Sequence, residues 1–378
     1  MKLAGAWLDH PGTQALCLAL EAEGFRALFV GGCVRNALMG LAVSDIDIST
    51  DARPETVTNI AEMAGFKVVP TGLDHGTVTV ITHGLPHEVT TFRRDVETYG
   101  RHAVVAFSDR IEDDAARRDF TMNALYADLR GQVIDPLGGL TDLEARHVRF
   151  VGEPEQRIRE DYLRILRFFR FHAHYARQDN GFDPDALAAC AAHSAGLETL
   201  SRERVGAEMR KLLLAPDPGP AIATMAQAGI LMRVLPGAEA RALPPFLHLE
   251  GLAGLLPDPM ARLAALGGDA PDEALKLSRA EARRMSALRE AAVSSLTPGA
   301  LGYRLKADGK VALVLRAALL DQPLAGLAEA ERGAMARFPL RAADLPGLEG
   351  AALGARLKAL ESRWIESGFT LTRDDLLA

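Results

Sequence analysis

The chain is short of the features that would place it in a membrane, outside the cell or along a nucleic acid. No apolar run in its 378 residues reaches the roughly 20 that span a bilayer. Its opening, MKLAGAWLDHPG, lacks the basic stretch and apolar core of a secretory leader, so the expectation is a cytoplasmic protein. Cysteine is scarce. Cys17, Cys33 and Cys190 are odd in number and widely spaced, which suits neither a disulfide framework nor a zinc site. Positive charge is not in excess: the formal charge is -7, so any contact with nucleic acid must be a local patch drawn from the 43 Lys and Arg. No internal repeat emerges, and the last third carries no catalytic motif.

What is present divides the chain in two ways. At this length, with 48% hydrophobic residues, it can bury more than one core and should form two or three domains. Between residues 27 and 150, β-rich runs (ALFVGG, DIDIST, FKVV, GTVTVIT, HEVTTF, QVID) alternate with short helical patterns such as 54–64, where Pro54 suits a first helical turn. Beyond RFVGEPEQ the strand signals stop. The rest reads as helix, with breaks at Gly181, at 217–220, at Pro236, near Pro244 and Pro245, and at Pro257 and Pro271. The expected class is α+β: a mixed sheet with helices over 1–150, then helices alone over 151–215 and 216–378.

The segment VGGCVRNALMGLAVSDIDIST, residues 30–50, carries the most chemistry. Alternate side chains of a strand share a face, so Asp45 and Asp47 can reach one cation. Mg²⁺ suits such a pair, because it takes oxygen ligands and leaves positions for phosphate oxygens. The turn at Gly31 and Gly32 lets the backbone approach a triphosphate, with N–H groups and the following helix start aimed at anionic oxygens. A lone DxD is usually a solvated strand end, and a lone GG only a turn. Their succession as strand, GG, helix, strand with DxD describes nucleotidyl transfer.

Two later segments add to it. Read as a helix, 116–128 (ARRDFTMNALYAD) sets Asp119 and Asn123 four apart on one face, with Phe120, Ala124 and Leu125 toward the core. With Arg117 and Arg118 alongside, that edge could hold a ribose hydroxyl and phosphate oxygens. A salt-bridged surface helix is the plain alternative. Residues 160–175 (EDYLRILRFFRFHAHY) place Tyr162, Ile165, Leu166 and Phe169 on an apolar stripe, while Asp161, Arg164 and Arg167 advance by threes on another face. Asp beside Arg presents acceptors next to donors. Such an edge can accept cytosine and adenine and leave unpaired polar groups against uracil and guanine. An intrahelical ion pair is the plain alternative here.

In order, VGGCVRNALMG with DIDIST, ARRDFTMNALY, IDPLGGLTDLEARHVRFVG, REDYLRILRFFRF and LSRERVGAEMRKLL resemble the motif series of the class II tRNA nucleotidyltransferases (CCA-adding enzymes) and the related bacterial poly(A) polymerases, over residues 27–215. The resemblance implies a nucleotidyltransferase head at 1–150, a base-templating neck at 151–215 and an RNA-binding body and tail at 216–378. It implies that Asp45 and Asp47 bind two Mg²⁺, one activating the RNA 3′-hydroxyl and the other the α-phosphate and leaving pyrophosphate. Glu88, on HEVTTF, is a possible third carboxylate. Gly31, Gly32 and Arg35 would hold the triphosphate, Arg118, Asp119 and Asn123 the ribose and phosphates, and Asp161 with Arg164 the incoming base. Arg167 and Arg170 would support that template or touch phosphate. Residues 93–110, around Gly100, would be a flexible loop for the switch from C to A addition, and Gly138, Gly139 and Asp142 would link head and neck.

The chain departs from the family at Asn36, where Asp is usual, which leaves open what supports Arg35. Residues 70–81, PTGLDHGTVTVI, resemble the CCA-adding branch, whereas poly(A) polymerases tend to carry a basic GRRF-like run there. The expected reaction is therefore CCA addition to tRNA from CTP and ATP, with poly(A) addition or a partial CC- or A-adding activity as the alternatives. No HD phosphohydrolase motif marks the tail. An inert RNA-binding scaffold would require loss of DxD or the Asp–Arg pair, and both are intact; transfer to a small molecule such as an antibiotic would need no long helical tail. For tRNA contacts the candidates are Arg202, Arg204, Arg210 and Lys211, where phosphates and 2′-hydroxyls are the readable features; a solvated helix face is the alternative.

Overall fold

In the computed structural model the chain falls into two compact units, Met1–Leu200 and Ser201–Ala378. The structure describes residues 1–73, 76–99, 102–177 and 179–378. The first unit opens with helix α1 (Pro11–Ala22) and strand β1 (Leu28–Val30), followed by α2 (Gly32–Leu38), β2 (Asp47–Thr50) and α3 (Pro54–Met63). Pro54 stands in the first turn of α3, where its missing N–H costs nothing. Strands β3 (Lys67–Gly72), β4 (Thr77–Thr82) and β5 (Leu85–Thr91) come next. Residues 83 and 84 join β4 to β5 as a two-residue turn, and His83 and Gly84 both have positive φ, 50° and 80°, which matches the right-handed twist of the strands.

The remaining strands are β6 (Arg93–Tyr99), β7 (His102–Phe107), β8 (Tyr126–Ala127) and β9 (Val133–Ile134). Seven of them make one mixed sheet in the order β3-β4-β5-β2-β1-β8-β9. β2 runs parallel to β5, with Asp47 opposite Glu88, and antiparallel to β1. The alternation in β4, where Val78, Val80 and Thr82 are buried and the residues between them half-buried, fixes which face meets α1 and α3. Leu16, Leu20, Ile48, Val57 and Val89 are closed off from water there. On the other side Val30, Phe92, Ile111, Ala115 and Tyr126 form a second apolar cluster.

β6 and β7 pair with each other as a separate antiparallel ribbon. The stretch 93–110, expected as a loop, is thus built largely of two strands; Gly100 lies outside the described residues.

After the sheet come α4 (Ile111–Ala116), α5 (Gly139–Glu144), α6 (Pro154–Glu160), α7 (Leu163–Tyr175) and α8 (Pro184–Ala192). Gly139 touches the segment that crosses it: a Cβ there would lie 2.2 Å from the Thr121 carbonyl oxygen. Asp142 accepts from Thr121 Oγ1 at 2.5 Å and Arg149 Nε at 3.0 Å. An aromatic stack of Phe120, Phe150, Phe168 and Phe171, with centroids 4.7–6.4 Å apart, seats α7 on the same segment.

The second unit is helical and begins with α9 (Arg202–Leu213). At its heart Arg262 donates to Glu250 at 2.6 Å and to the carbonyls of Leu213 and Ala215 at 2.7 and 2.6 Å, a fully buried cation with an acceptor at each of its three nitrogens. The expected breaks at Pro244, Pro245 and Pro271 are helix starts: the prolines occupy first turns of Leu243–Leu252 and Pro271–Ala274.

Candidate active site in the first unit

The site gathers at the ends of β1 and β2. Gly31, at φ 71°, turns the chain from β1 into α2, a conformation that side chains with a Cβ avoid. A Cβ there would also stand 3.3 Å from Arg118 Nη1. β2 begins at Asp47, so Asp45 lies in the exposed lead-in to the strand and not within it. The two still share a face, because Ile46 and Ile48 on either side of Asp47 turn inward, 5% and 0% exposed.

Asp47 is the strained carboxylate. Burial, then the charge of Glu88, then that of Asp45 push its pKa from 3.8 up to about 6, against the pull of Arg118. Like charges drawn together at an oxygen-rich edge are relieved by a hard cation, and two aspartates leave coordination positions for water and phosphate. Among the described residues no three His, Cys, Asp or Glu form a ready-made cage.

The cation on the other side is Arg118. Its Nη2 donates to Asp114 Oδ2 at 2.8 Å and to Ser49 Oγ at 3.3 Å, and its Nε to Tyr126 Oη at 3.1 Å. Nη1 makes no hydrogen bond among the described residues and faces Gly31. Burial works against the charge on Arg118, but Asp114 and Tyr126 outweigh it and hold the guanidinium above its ordinary range. Asp114 is completely buried and also accepts from Tyr126 Oη at 2.7 Å and Arg117 Nε at 2.9 Å. Burial alone would raise its carboxyl; Arg118 and Arg117 bring it below the usual range.

The segment after Arg118 is not the helix expected over 116–128. α4 stops at Ala116, Phe120 is extended at φ -121° and ψ 149°, Thr121–Asn123 form a single 3₁₀ turn, and β8 starts at Tyr126. Long-range pairing overrides the local pattern: Thr121 N donates to Arg149 O and Val151 N to Asp119 O, both at 3.0 Å. Asp119 and Asn123 nevertheless meet, Nδ2 to Oδ1 at 2.8 Å, because Asp119 Oδ1 also caps Phe120 N and bends the chain back. Asp119 Oδ2 receives Arg167 Nε at 2.7 Å and Nη2 at 2.5 Å. Burial would raise the Asp119 carboxyl, but Arg167 and Asn123 carry it below the usual range.

Arg35 is 6% exposed, and each of its three nitrogens donates within the protein. Nη1 reaches Asn123 Oδ1, Nε and Nη2 reach Asn36 Oδ1 at 3.1 and 2.8 Å, and Nη2 reaches Tyr175 Oη at 2.9 Å. Its plane lies over the Tyr175 ring at 4.1 Å. Asn36 therefore supports Arg35 directly, while its Nδ2 donates to Ala42 O at 3.0 Å, a bond that a carboxylate could not make.

The helix expected over 160–175 begins at Leu163. Asp161 is extended, φ -152° and ψ 107°, between α6 and α7, and its Oδ1 accepts from Leu163 N at 3.1 Å, capping the new helix. Asp161 thus does not share a helix face with Arg164 and Arg167. Arg164 Nη1 donates to Glu160 Oε2 at 2.5 Å and Arg157 O at 2.8 Å. Arg170 lies over the Phe171 ring at 4.8 Å. In the second unit, Arg202 and Lys211 are exposed on α9, while Arg210 pairs with Glu281 at 3.9 Å. Asp114 and Glu160 are contributors that the sequence reading passed over; the spacing of Asp114 to Arg117 and Arg118, and of Glu160 to Arg164, was the available signal.

Fold and site together define a nucleotidyltransferase head: paired carboxylates at the start of a strand, a glycine turn, and a fixed arginine beside it. Residues 27–149 match the model of the poly A polymerase head domain, and residues 181–241 that of a probable RNA and SrmB-binding site of polymerase A. The chain is 31% identical to the mitochondrial CCA tRNA nucleotidyltransferase 1 of Danio rerio, over 97% of this chain and 90% of that protein. It is 40% identical to the CCA-adding enzyme of Geobacillus kaustophilus over 62% of this chain and 57% of that one. The crystal structure of the Bacillus stearothermophilus CCA-adding enzyme in complex with CTP is similar with a TM-score of 0.73 at 28% identity, over 94% of this chain and 92% of that one. The chain belongs to the family of class II CCA-adding enzymes, whose members are metal-dependent nucleotidyltransferases.

Proposed function

We propose that Asp45, Asp47 and Arg118 are the working centre of a tRNA nucleotidyltransferase that adds CCA to the 3′ end from CTP and ATP, and that its metal is Mg²⁺. Mg²⁺ held by Asp45 and Asp47, with Glu88 nearby, would neutralise the triphosphate and activate the tRNA 3′-hydroxyl. The observation that carries this reading is Arg118: three partners fix two of its nitrogens, and Nη1 is left to a ligand at the Gly31 turn. A guanidinium fixed in this way binds phosphate without first losing rotamer freedom.

The other residues are assigned the roles that their positions around this centre suggest. Gly31 and Gly32 leave room at the phosphates, while Asp119 and Asn123 offer an acceptor and an amide to the ribose. Arg35 fixes Asn123 with one Nη1 proton, and the second Nη1 proton is left to offer to phosphate. Arg167 and Arg170 brace Asp119 and the Phe171 ring, and Asp161 with Arg164 presents acceptors beside donors to cytosine and adenine. The functional division is head 1–150, neck 151–215, and body and tail 216–378, with Gly138, Gly139 and Asp142 at the first junction and Arg202, Arg204, Arg210 and Lys211 toward tRNA phosphates. A cytoplasmic location fits the three buried free thiols, which suit a reducing compartment; among the described residues no helix is long and apolar enough to cross a membrane.

The test is incorporation of labelled CTP and ATP into tRNA lacking its CCA end. Asp45→Ala or Asp47→Ala should abolish both incorporations and leave tRNA affinity within about threefold, because that affinity comes from phosphate contacts elsewhere. Substantial Mg²⁺-dependent addition by either variant would overturn the assignment.

A further inference from the structure

Helix α6 carries a residue that none of these roles uses. Arg157 is 6% exposed. Its Nη2 donates to the carbonyl oxygens of both Arg117 and Arg118, the second at 2.8 Å, and its Nη1 to Glu160 Oε2. Arg164 closes the circuit. Its Nη1 shares the same Glu160 oxygen and also reaches Arg157 O, and its Nη2 reaches Arg117 O at 3.3 Å.

The main chain that carries Arg118 is therefore seated on the same assembly that holds Arg164. One carboxylate oxygen and one carbonyl oxygen serve both arginines. Two largely buried guanidinium charges depend on them, and a charge left without its acceptors in such a place is strongly unfavourable. Displacing Arg164 would thus disturb Arg117 O and Glu160, and through Arg157 the peptide from which Arg118 projects.

We propose that Arg157 is a positioning residue that couples nucleotide selection to triphosphate placement, a step that rests on the base-reading role of Asp161 and Arg164 given above. A base that Arg164 can pair with where it stands leaves the assembly intact, and Arg118 meets the phosphates in register. A base that forces Arg164 to move shifts the 117–118 main chain and misplaces the phosphate contact. Discrimination then appears in the chemical step and not only in binding.

Arg157→Lys keeps the charge opposite Glu160, but one ammonium cannot span that carboxylate and two carbonyls as the planar fork does. Single-addition kinetics with CTP and UTP on tRNA lacking CCA, and with ATP and GTP on tRNA lacking the final A, read the coupling. The correct nucleotides should lose about thirtyfold in kcat/KM, chiefly in kcat, and the incorrect ones under about threefold, so selectivity shrinks roughly tenfold. A clamp that only stabilises the fold would lower all four together in step with the melting temperature, and that result overturns the coupling.

Hydrogen exchange on the unmutated enzyme gives a second reading that needs no variant to fold. CTP should slow exchange in residues 117–124 well beyond the effect of UTP or inorganic tripolyphosphate; equal protection by CTP and UTP overturns the proposal. Asp161→Ala/Arg164→Ala separates the two ideas. If that double variant loses base selection while Arg157→Lys keeps it, base reading stands and coupling falls; if the double variant keeps selection, the base-reading role itself falls.

Discussion

Replacing Asp114 by Asn removes one charge from a fully buried position on which two guanidinium groups depend. Four donors converge on that carboxylate: Tyr126 Oη, Arg118 Nη2, Arg117 Nε and, at 3.4 Å, Ser49 Oγ. An amide of the same shape offers one oxygen to them and turns an NH₂ toward the rest. Breaking a buried ion pair from one side costs about 3–5 kcal/mol. The Arg117 and Arg118 side chains are 19% and 17% exposed, so water recovers part of this, and the lower end, about 3 kcal/mol, applies. For a unit of this size that is a fall of roughly 6–12 °C in melting temperature.

The kinetic effect has a different signature. In the folded variant Arg118 is no longer held with Nη1 at the Gly31 turn, and a charge-assisted contact worth about 1.5–3 kcal/mol is lost from the transition state. That is roughly a ten- to hundredfold drop in kcat/KM. Because the triphosphate is common to both substrates, CTP and ATP should suffer equally, while UTP, whose phosphate contact is already misplaced, should lose less. Tyr126→Phe, which removes one donor and leaves the charge, should cost only about 1 kcal/mol of stability. Urea unfolding combined with single-addition rates measures both quantities. A folded Asp114→Asn enzyme within twofold of wild type on both nucleotides would refute the positioning of Arg118 by Asp114.

Three further outcomes are expected. Asp47 keeps its proton up to about pH 6 in the metal-free protein, so below that value a metal must displace it: the metal concentration for half-maximal rate should rise about tenfold per pH unit below 6 and level off above. By the same linkage, its contribution to the stability of the metal-free protein falls as pH rises from 3.8 to about 6; titrating metal at several pH values checks the first point and metal-free unfolding the second. Gly31→Ala imposes a side chain at φ 71° and sets its Cβ against Arg118 Nη1; about 1–2 kcal/mol of stability should be lost, with KM for both nucleotides raised together in steady-state assays. In the second unit Glu250→Ala strands the buried Arg262 and should destabilise by about 3–5 kcal/mol, read by denaturant unfolding, while nucleotide selectivity measured on the folded fraction stays unchanged.

Much of the sheet was legible because its strands announce themselves locally: β1, β2, β4 and β5 coincide with the apolar and β-branched runs, and the GG turn falls between β1 and α2, whereas of the two carboxylates only Asp47 lies within a strand. The contact of Asp119 with Asn123 was anticipated from helical spacing, yet it arises from an Asp-capped bend. Periodicity cannot see that residues 119–121 pair with 149–151, and that distant pairing decides the conformation. The same blindness hid the restart of the chain at Asp161, where a side-chain oxygen takes the place of a helical carbonyl. The neighbours of Arg35 in sequence are glycines, but the groups that fix it in space, Tyr175 and Asn123, are 140 and 88 residues away and leave no trace in local pattern.

The in-register pairing of Asp47 with Glu88 gives the small turn at His83 and Gly84 an influence well beyond its size. Surface turns usually absorb insertions at little cost. Here one added residue that slid β5 along β2 would send Glu88 to the opposite face and bring the apolar Val89 or the buried His87 beside Asp47. Length variation should therefore be tolerated better in the ribbon of β6 and β7, which among the described residues pair only with each other, than in the β4–β5 connection. A chimera or circular permutant of the head should be cut in the former and should leave the latter whole.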